Sequence, residues 1–156
     1  MATSDSFLSS RQPLRVSNAV AAIIVVDRER YLMQLRDDLP GIWYPGHWGL
    51  FGGAVDAGED EISALRRELA EELELELQAA TLFVRFDFDL TPMGLARYWR
   101  AYYEVAIGAA ECARLVLREG AEMRALTGED ALSLPRLSPY DSFALFMHHR
   151  RGRLTG

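Results

Sequence analysis

Apolar residues recur at two spacings along this 156-residue chain, and the spacing divides it into strands and helices. After residue 16 the run VSNAVAAIIVVD is almost continuously apolar and rich in β-branched residues, and RYLMQLRDD follows a polar turn at residues 27–29. This pattern predicts a hairpin whose first strand is central, because both of its faces are apolar. Residues 82–90 alternate, with Val84, Phe86, Phe88 and Leu90 opposite Phe83, Arg85, Asp87 and Asp89; residues 97–107 do the same. Joined by Thr91-Pro92-Met93-Gly94, they predict an antiparallel pair with one buried face. Between these strand pairs the period changes. Ile62, Leu65, Leu69 and Leu73 form one stripe of a helix over residues 60–73, uninterrupted by glycine or proline. Residues 139–151, with Phe143, Leu145, Phe146 and Met147, predict a closing amphipathic helix. A short strand over residues 48–51 should enter a turn at Gly52-Gly53, and residues 108–120 form a connection with a short helix or strand at 113–117.

Strands alternating with two main helices predict an α/β domain with a mixed sheet between helices. Residues 1–16, polar, serine-rich and broken by Pro13, are expected to form a flexible N-terminal arm, leaving residues 17–153 as a single domain. A hydrophobic content of 49% and a charged content of 26% suit a soluble globular chain. The formal net charge of −6 argues against sequence-independent binding to a nucleic acid polymer, which requires a cationic surface. No basic segment precedes a long apolar run, and the apolar run at residues 19–26 is too short to cross a bilayer, so no membrane partner is expected and a cytoplasmic location is the default. Cys112 is the single cysteine, which excludes an internal disulfide and reads as a small packed residue.

The chemistry concentrates on the first helix. Glu68, Glu71 and Glu72 stand at i, i+3 and i+4, so three carboxylates share one face and repel one another unless a positive group answers them. Arg67 can pair with Glu71, and a hard cation such as magnesium, which prefers oxygen ligands, is the stronger answer; a solvated acidic face is the alternative. Elsewhere, Arg36 ends a strand on the face of Gln34, where it either meets a substrate phosphate or simply lies at the surface. Trp43 and Tyr44 belong to a loop over residues 37–46 and serve either as a base or sugar platform or to pack that loop on the body. His47 reads as a turn residue, and His148 and His149 as structural groups favoured near a helix end.

From Gly53, five residues lead to Glu59, seven more to Arg67, and then come Glu68, Leu69, Ala70, Glu71, Glu72, Leu73, Glu74 and Leu75. This spacing resembles the Nudix hydrolase signature at every position but one: the family's last glycine is replaced by Glu74. Many members also have proline where Phe51 stands. A glycine at a helix exit favours a left-handed backbone, so either Glu74 adopts that geometry or the helix leaves by another route.

The resemblance implies a Nudix-type α/β/α sandwich and a Mg²⁺-dependent hydrolase, with Mn²⁺ as a substitute, acting on the diphosphate bond of a nucleoside diphosphate linked to another moiety. It further implies metal binding by Glu68, Glu71 and Glu72 with the carbonyl of Gly52, and orientation of the acids by Arg67; Glu59, near the helix start where the dipole favours an anion, can itself reach back to Arg67 or to metal. The general base is implied to be Glu68 or a loop acid, Glu119 or Glu122. Two alternatives stand beside it: removal of a sugar from a nucleotide sugar by attack at carbon, and a non-catalytic nucleotide-sensing module. The expected partner is a small nucleotide-type substrate, and self-association into a homodimer is left open.

Overall fold

The structure, a computed structural model, describes residues 15–154. Its centre is β1 (Ala19–Val26), paired along one edge in parallel with β6 (Tyr98–Ile107). The other edge is shared. β2 (Arg30–Leu35) pairs only with Val25 and Val26, whereas β4 (Phe51–Ala54) pairs with Ala19 to Ala22, both antiparallel. β2 therefore leaves β1 early, and continues between β3 (Trp48–Gly49) and β7 (Glu122–Thr127). β5 (Thr81–Phe88) closes the far edge against β6, with an irregularity between Leu82 and Val84. One parallel pairing among antiparallel ones makes the sheet mixed.

The expected hairpin forms, and its turn is specific: Asp27 and Arg28 both have positive φ, 50° and 63°, and Glu29 donates its amide to the Val26 carbonyl at 3.1 Å. Two consecutive positive-φ residues give the mirror-image turn whose twist matches the flanking strands, with Glu29 as a third connecting residue before Arg30 pairs with Val26. The N-terminal arm expected over residues 1–16 lies outside the described residues except for Arg15 and Val16, and the carbonyl of Arg15 accepts the Trp43 indole N–H at 3.0 Å.

Alternation along β1 explains the two layers. Val20, Ala22, Ile24 and Val26 pack with Leu65, Leu69 and Leu73 of α1 (Glu61–Leu73), while Ala21 and Ile23 face Ala144 and Leu145 of α4 (Pro139–Leu154). With period-2 side chains, an apolar strand covered on both faces is what a central position in an α/β/α sandwich demands. The same cover corrects the expectation for the later strands. β6 buries both faces, because Tyr102 is as enclosed beneath α4 as Ala101 is beneath α1.

α1 starts where its side chains allow. Asp60 is the N-cap, accepting the Ser63 amide at 2.8 Å and satisfying a donor with no partner inside the helix. Asp60→Ala should cost about 1 kcal/mol and lower Tm by about 2–4 °C, which thermal unfolding by circular dichroism measures. At the other end Glu74 adopts the left-handed conformation, φ 54° and ψ 30°; its amide donates to Ala70, and that of Leu75 to Leu69. The helix thus leaves as it would through a glycine.

Three further expectations change. Gly52 and Gly53 are not a turn; they lie inside β4, opposite Ala21 and Val20. The break falls two residues before Gly52, at Leu50, whose amide is captured by buried Asp141 at 3.0 Å. The short element after β6 is α2 (Ala109–Cys112), not residues 113–117, which run irregularly because the end of α1 captures their backbone: Val116 donates to the Leu73 carbonyl at 3.1 Å and Arg118 to that of Glu72 at 2.8 Å. His148 is structural as expected, but not as a helix-end cation. It is buried, bonded through Nδ1 to the Tyr31 hydroxyl at 2.8 Å and through Nε2 to Glu104, and burial lowers its pKa. A short α3 (Gly128–Leu132) links β7 to α4, capped by Thr127. Among the described residues no helix is long and apolar enough to cross a membrane.

Candidate active site

Where β2 diverges from β4, an open pocket forms between the end of β2, the glycine strand, the acid face of α1 and the loop before β7. Its walls include Gln34, Arg36, Gly52, Gly53, Glu68, Glu72, Arg118 and Glu119, with Leu39 and Ile42 on the apolar side. Of the three helix acids, two arrive here. Glu72 is buried and accepts the Gly52 amide at 2.8 Å. Glu68 lies against Gly53, in the space a side chain at that position would fill. Glu71 is more exposed, on the side of Arg67, 3.6 Å from its guanidinium, and does not line the pocket.

Arg67 is the hub behind this wall. Its guanidinium donates to both oxygens of Glu59, at 3.0 and 2.9 Å, to Glu68 at 2.7 Å and to the Ala54 carbonyl at 2.9 Å. The fork geometry of arginine lets one side chain fix the loop, the helix start and a pocket carboxylate together. Hydrogen bonding to Arg67 holds the Glu59 carboxyl below its ordinary pKa, and Arg67 itself is raised, first by Glu59 and then by Glu68. Glu59 is thereby occupied as a brace for Arg67.

The electrostatics of the pocket are unfavourable without a cation. Glu72 is pushed up to about 8, chiefly by burial, with the fields of Glu68 and Glu119 adding to the cost and the Gly52 amide opposing it. Glu68 is raised too, by burial first and against the pull of Arg67. Desolvated carboxylates facing one another bind protons more tightly than in water, and bind a hard cation for the same reason. Among the described residues no three acid, histidine or cysteine side chains converge to enclose a metal by themselves. Two carboxylates completed by backbone oxygen, water and substrate phosphate nevertheless fit magnesium, which keeps several waters and rarely occupies an all-protein cage.

The remaining expected residues are dispersed. Arg36 lines the pocket and also donates to the Trp43 carbonyl at 2.9 Å, tying the 37–46 loop to the strand end. Trp43 and Tyr44 are not in the pocket wall. Trp43 borders a small separate cavity with Arg100 and Tyr140, and Tyr44 makes edge contacts with His47 and Tyr140 at 5.4 and 5.3 Å, so the loop-packing alternative describes their contacts. Glu119 is in the wall; Glu122 begins β7 and pairs with Arg124.

Three contributors were not anticipated. Gln34, buried, donates to the Glu119 carbonyl at 3.0 Å, and Asp37 accepts the Gly120 amide at 3.1 Å, so β2 and its exit hold the Glu119 loop. A signal existed for Gln34, the only polar residue within the apolar stretch YLMQL. Arg118 adjoins Glu119, but its place depends on the irregular path along the end of α1.

Fold and site together define an α/β/α sandwich with a carboxylate-walled pocket at the edge of its central strand. The chain belongs to the NUDIX domain family, which matches residues 17–136. One segment is 51% identical over 49 residues to the U8 snoRNA-decapping enzyme of Homalodisca vitripennis, covering 31% of this chain and 22% of that protein. Similarity to the nucleoside triphosphatase NudI of Escherichia coli O139:H28 (strain E24377A / ETEC) is 42% over 60 residues, covering 38% of this chain and 41% of that protein. The aligned segments thus span less than half of these curated relatives. The MutT protein from Methanosarcina mazei Go1 has the same fold, with a TM-score of 0.70 at 20% identity, covering 91% of this chain and 98% of that one.

Proposed function

We propose that this protein is a Mg²⁺-dependent hydrolase, with Mn²⁺ as a substitute, that cleaves the diphosphate bond of a small nucleotide-type substrate. The observation that carries this reading is the pair Glu68 and Glu72, desolvated at the pocket wall and both raised in pKa. A nucleotide substrate is supported by the relatives, one named a nucleoside triphosphatase and another a snoRNA-decapping enzyme.

Glu68 and Glu72 hold the cation, with Gly52 beside them. When bound, magnesium neutralises the diphosphate, orients it and lowers the pKa of a nearby water. The chain's own residues do the rest. Arg67 keeps the Glu68 carboxylate aimed at the pocket, the Gly52 amide orients Glu72, and Glu119, held through Gln34 and Asp37, accepts the proton of the attacking water, with Glu68 as the other candidate acceptor. Glu71 with Arg67 supports the acid face from outside. An acidic chain needs this arrangement: without a cation its carboxylates would repel the phosphates.

Nucleoside triphosphates, dinucleotides and nucleotide sugars incubated with Mg²⁺, with products identified by chromatography and mass spectrometry, test the reading. Expected is a nucleoside monophosphate released only with the metal. Free sugar with an intact nucleoside diphosphate would replace attack at phosphorus by attack at carbon. Nucleotide binding without turnover would favour a sensing module.

A further inference from the structure

We propose that Glu74 and Arg118 form a substrate-positioning pair, in which the carboxylate at the helix exit holds the arginine at the pocket rim so that its guanidinium receives a phosphate group of the substrate. The inference rests on the functional reading of the pocket given above.

The helix exit poses the question. Glu74 occupies a left-handed conformation, φ 54°, that glycine adopts freely and a residue with a Cβ does not. Backbone strain of this kind persists where the side chain returns something for it. Here the carboxylate is spent on one partner: Glu74 Oε1 accepts from Nε of Arg118 at 2.6 Å and from its Nη2 as well. Glycine would close the helix equally well and leave Arg118 untethered.

Arg118 is suited to be held. Its own amide donates to the Glu72 carbonyl at 2.8 Å, so its backbone is fixed beside a pocket acid whatever its side chain does. Arg118 is part of the wall of the same pocket as Glu68, Glu72 and Glu119, and its side chain remains more than half exposed. Gripped at Nε and Nη2, the guanidinium keeps Nη1 clear of protein partners among the described residues. Planar arginine is preorganised for phosphate oxygens, and fixing it beforehand removes part of the ordering cost of binding. A cation at the acids would engage one part of a diphosphate and Arg118 another.

An isolated surface ion pair of this exposure would affect little. The proposal is therefore tested by ligand affinity beside stability. Calorimetry would measure binding of imidodiphosphate, which is not readily hydrolysed, in the presence of Mg²⁺. Arg118→Gln should weaken binding about 10-fold, with Arg118→Lys between it and the parent, and Tm unchanged because the backbone bond to Glu72 remains. Glu74→Gly should weaken binding about 3-fold while raising Tm by about 2–4 °C as the strain is released. Opposite signs in affinity and stability are what a merely structural residue would not give. Unchanged affinity in either Arg118→Gln or Glu74→Gly, or no binding by the parent, overturns the pair. Parent binding with the expected losses, but no turnover of any nucleotide, supports the pair and overturns the hydrolase reading.

Discussion

Glu72→Gln is expected to lower turnover ~100-fold or more while leaving the fold intact, and to raise the Tm of the metal-free protein at alkaline pH. Both effects come from the same burial. Glu72 lies beneath the glycine strand with one oxygen on the Gly52 amide, an acceptor role that glutamine keeps. Charge is what glutamine loses, and with it the grip on the cation.

The sign of the stability effect follows from linkage. The folded-state pKa of Glu72 is raised from 4.5 to about 8. The group's stabilising contribution is therefore fully present below pH 4.5 and lost as pH rises through about 8, where the folded chain must carry a desolvated carboxylate. Without metal, the parent should lose Tm across that window faster than Glu72→Gln, and the two should converge in acid. Added Mg²⁺ should recover the loss in the parent and do little for the variant. Thermal melts at several pH values, with and without the metal, read all of this. A variant with near-parental activity, or with the same pH dependence as the parent, would remove Glu72 from the metal site.

The sequence revealed the acids and their order but not which of them meet. Spacing places Glu68, Glu71 and Glu72 on one helix face, yet that face is wide: β4 passes over Glu68 and Glu72, and Glu71 falls on the side of Arg67. The two-sided burial of β1 was legible because both faces of that strand are apolar. The burial of β6 was not, since Arg100 and Tyr102 read as polar until Asp141 of α4 supplies the partner, accepting the Tyr102 hydroxyl at 2.9 Å and lying 3.7 Å from Arg100. Such long-range compensation leaves no local periodicity. Arg118 was hidden for a related reason, because its segment takes its course from the carbonyls ending α1.

The glycine pair was misread as a turn, and the correction separates its two members into opposite experiments. A Cβ on Gly52 would lie 2.2 Å from the Val20 carbonyl oxygen and 2.7 Å from the Ala21 Cα, at a φ of 138°. Those atoms are the backbone of the central strand and cannot retreat without breaking the pairing of β4 with β1. Gly52→Ala should cost about 4 kcal/mol or more, seen as a fall in Tm of ~10 °C or as loss of soluble protein. A Cβ on Gly53 would instead meet the Glu68 carboxylate, at 2.5 Å from its carbon and both oxygens. That group ends a flexible side chain and can swing aside, so Gly53→Ala should melt close to the parent. The displaced carboxylate, however, would abandon its place in the pocket and its 2.7 Å bond to Arg67. Turnover should fall ~100-fold, and Mg²⁺ should protect the variant less against heat than it protects the parent. Full activity in Gly53→Ala would mean that Glu68 works from another position, and a parental melt for Gly52→Ala would mean that β4 does not need its close approach to β1.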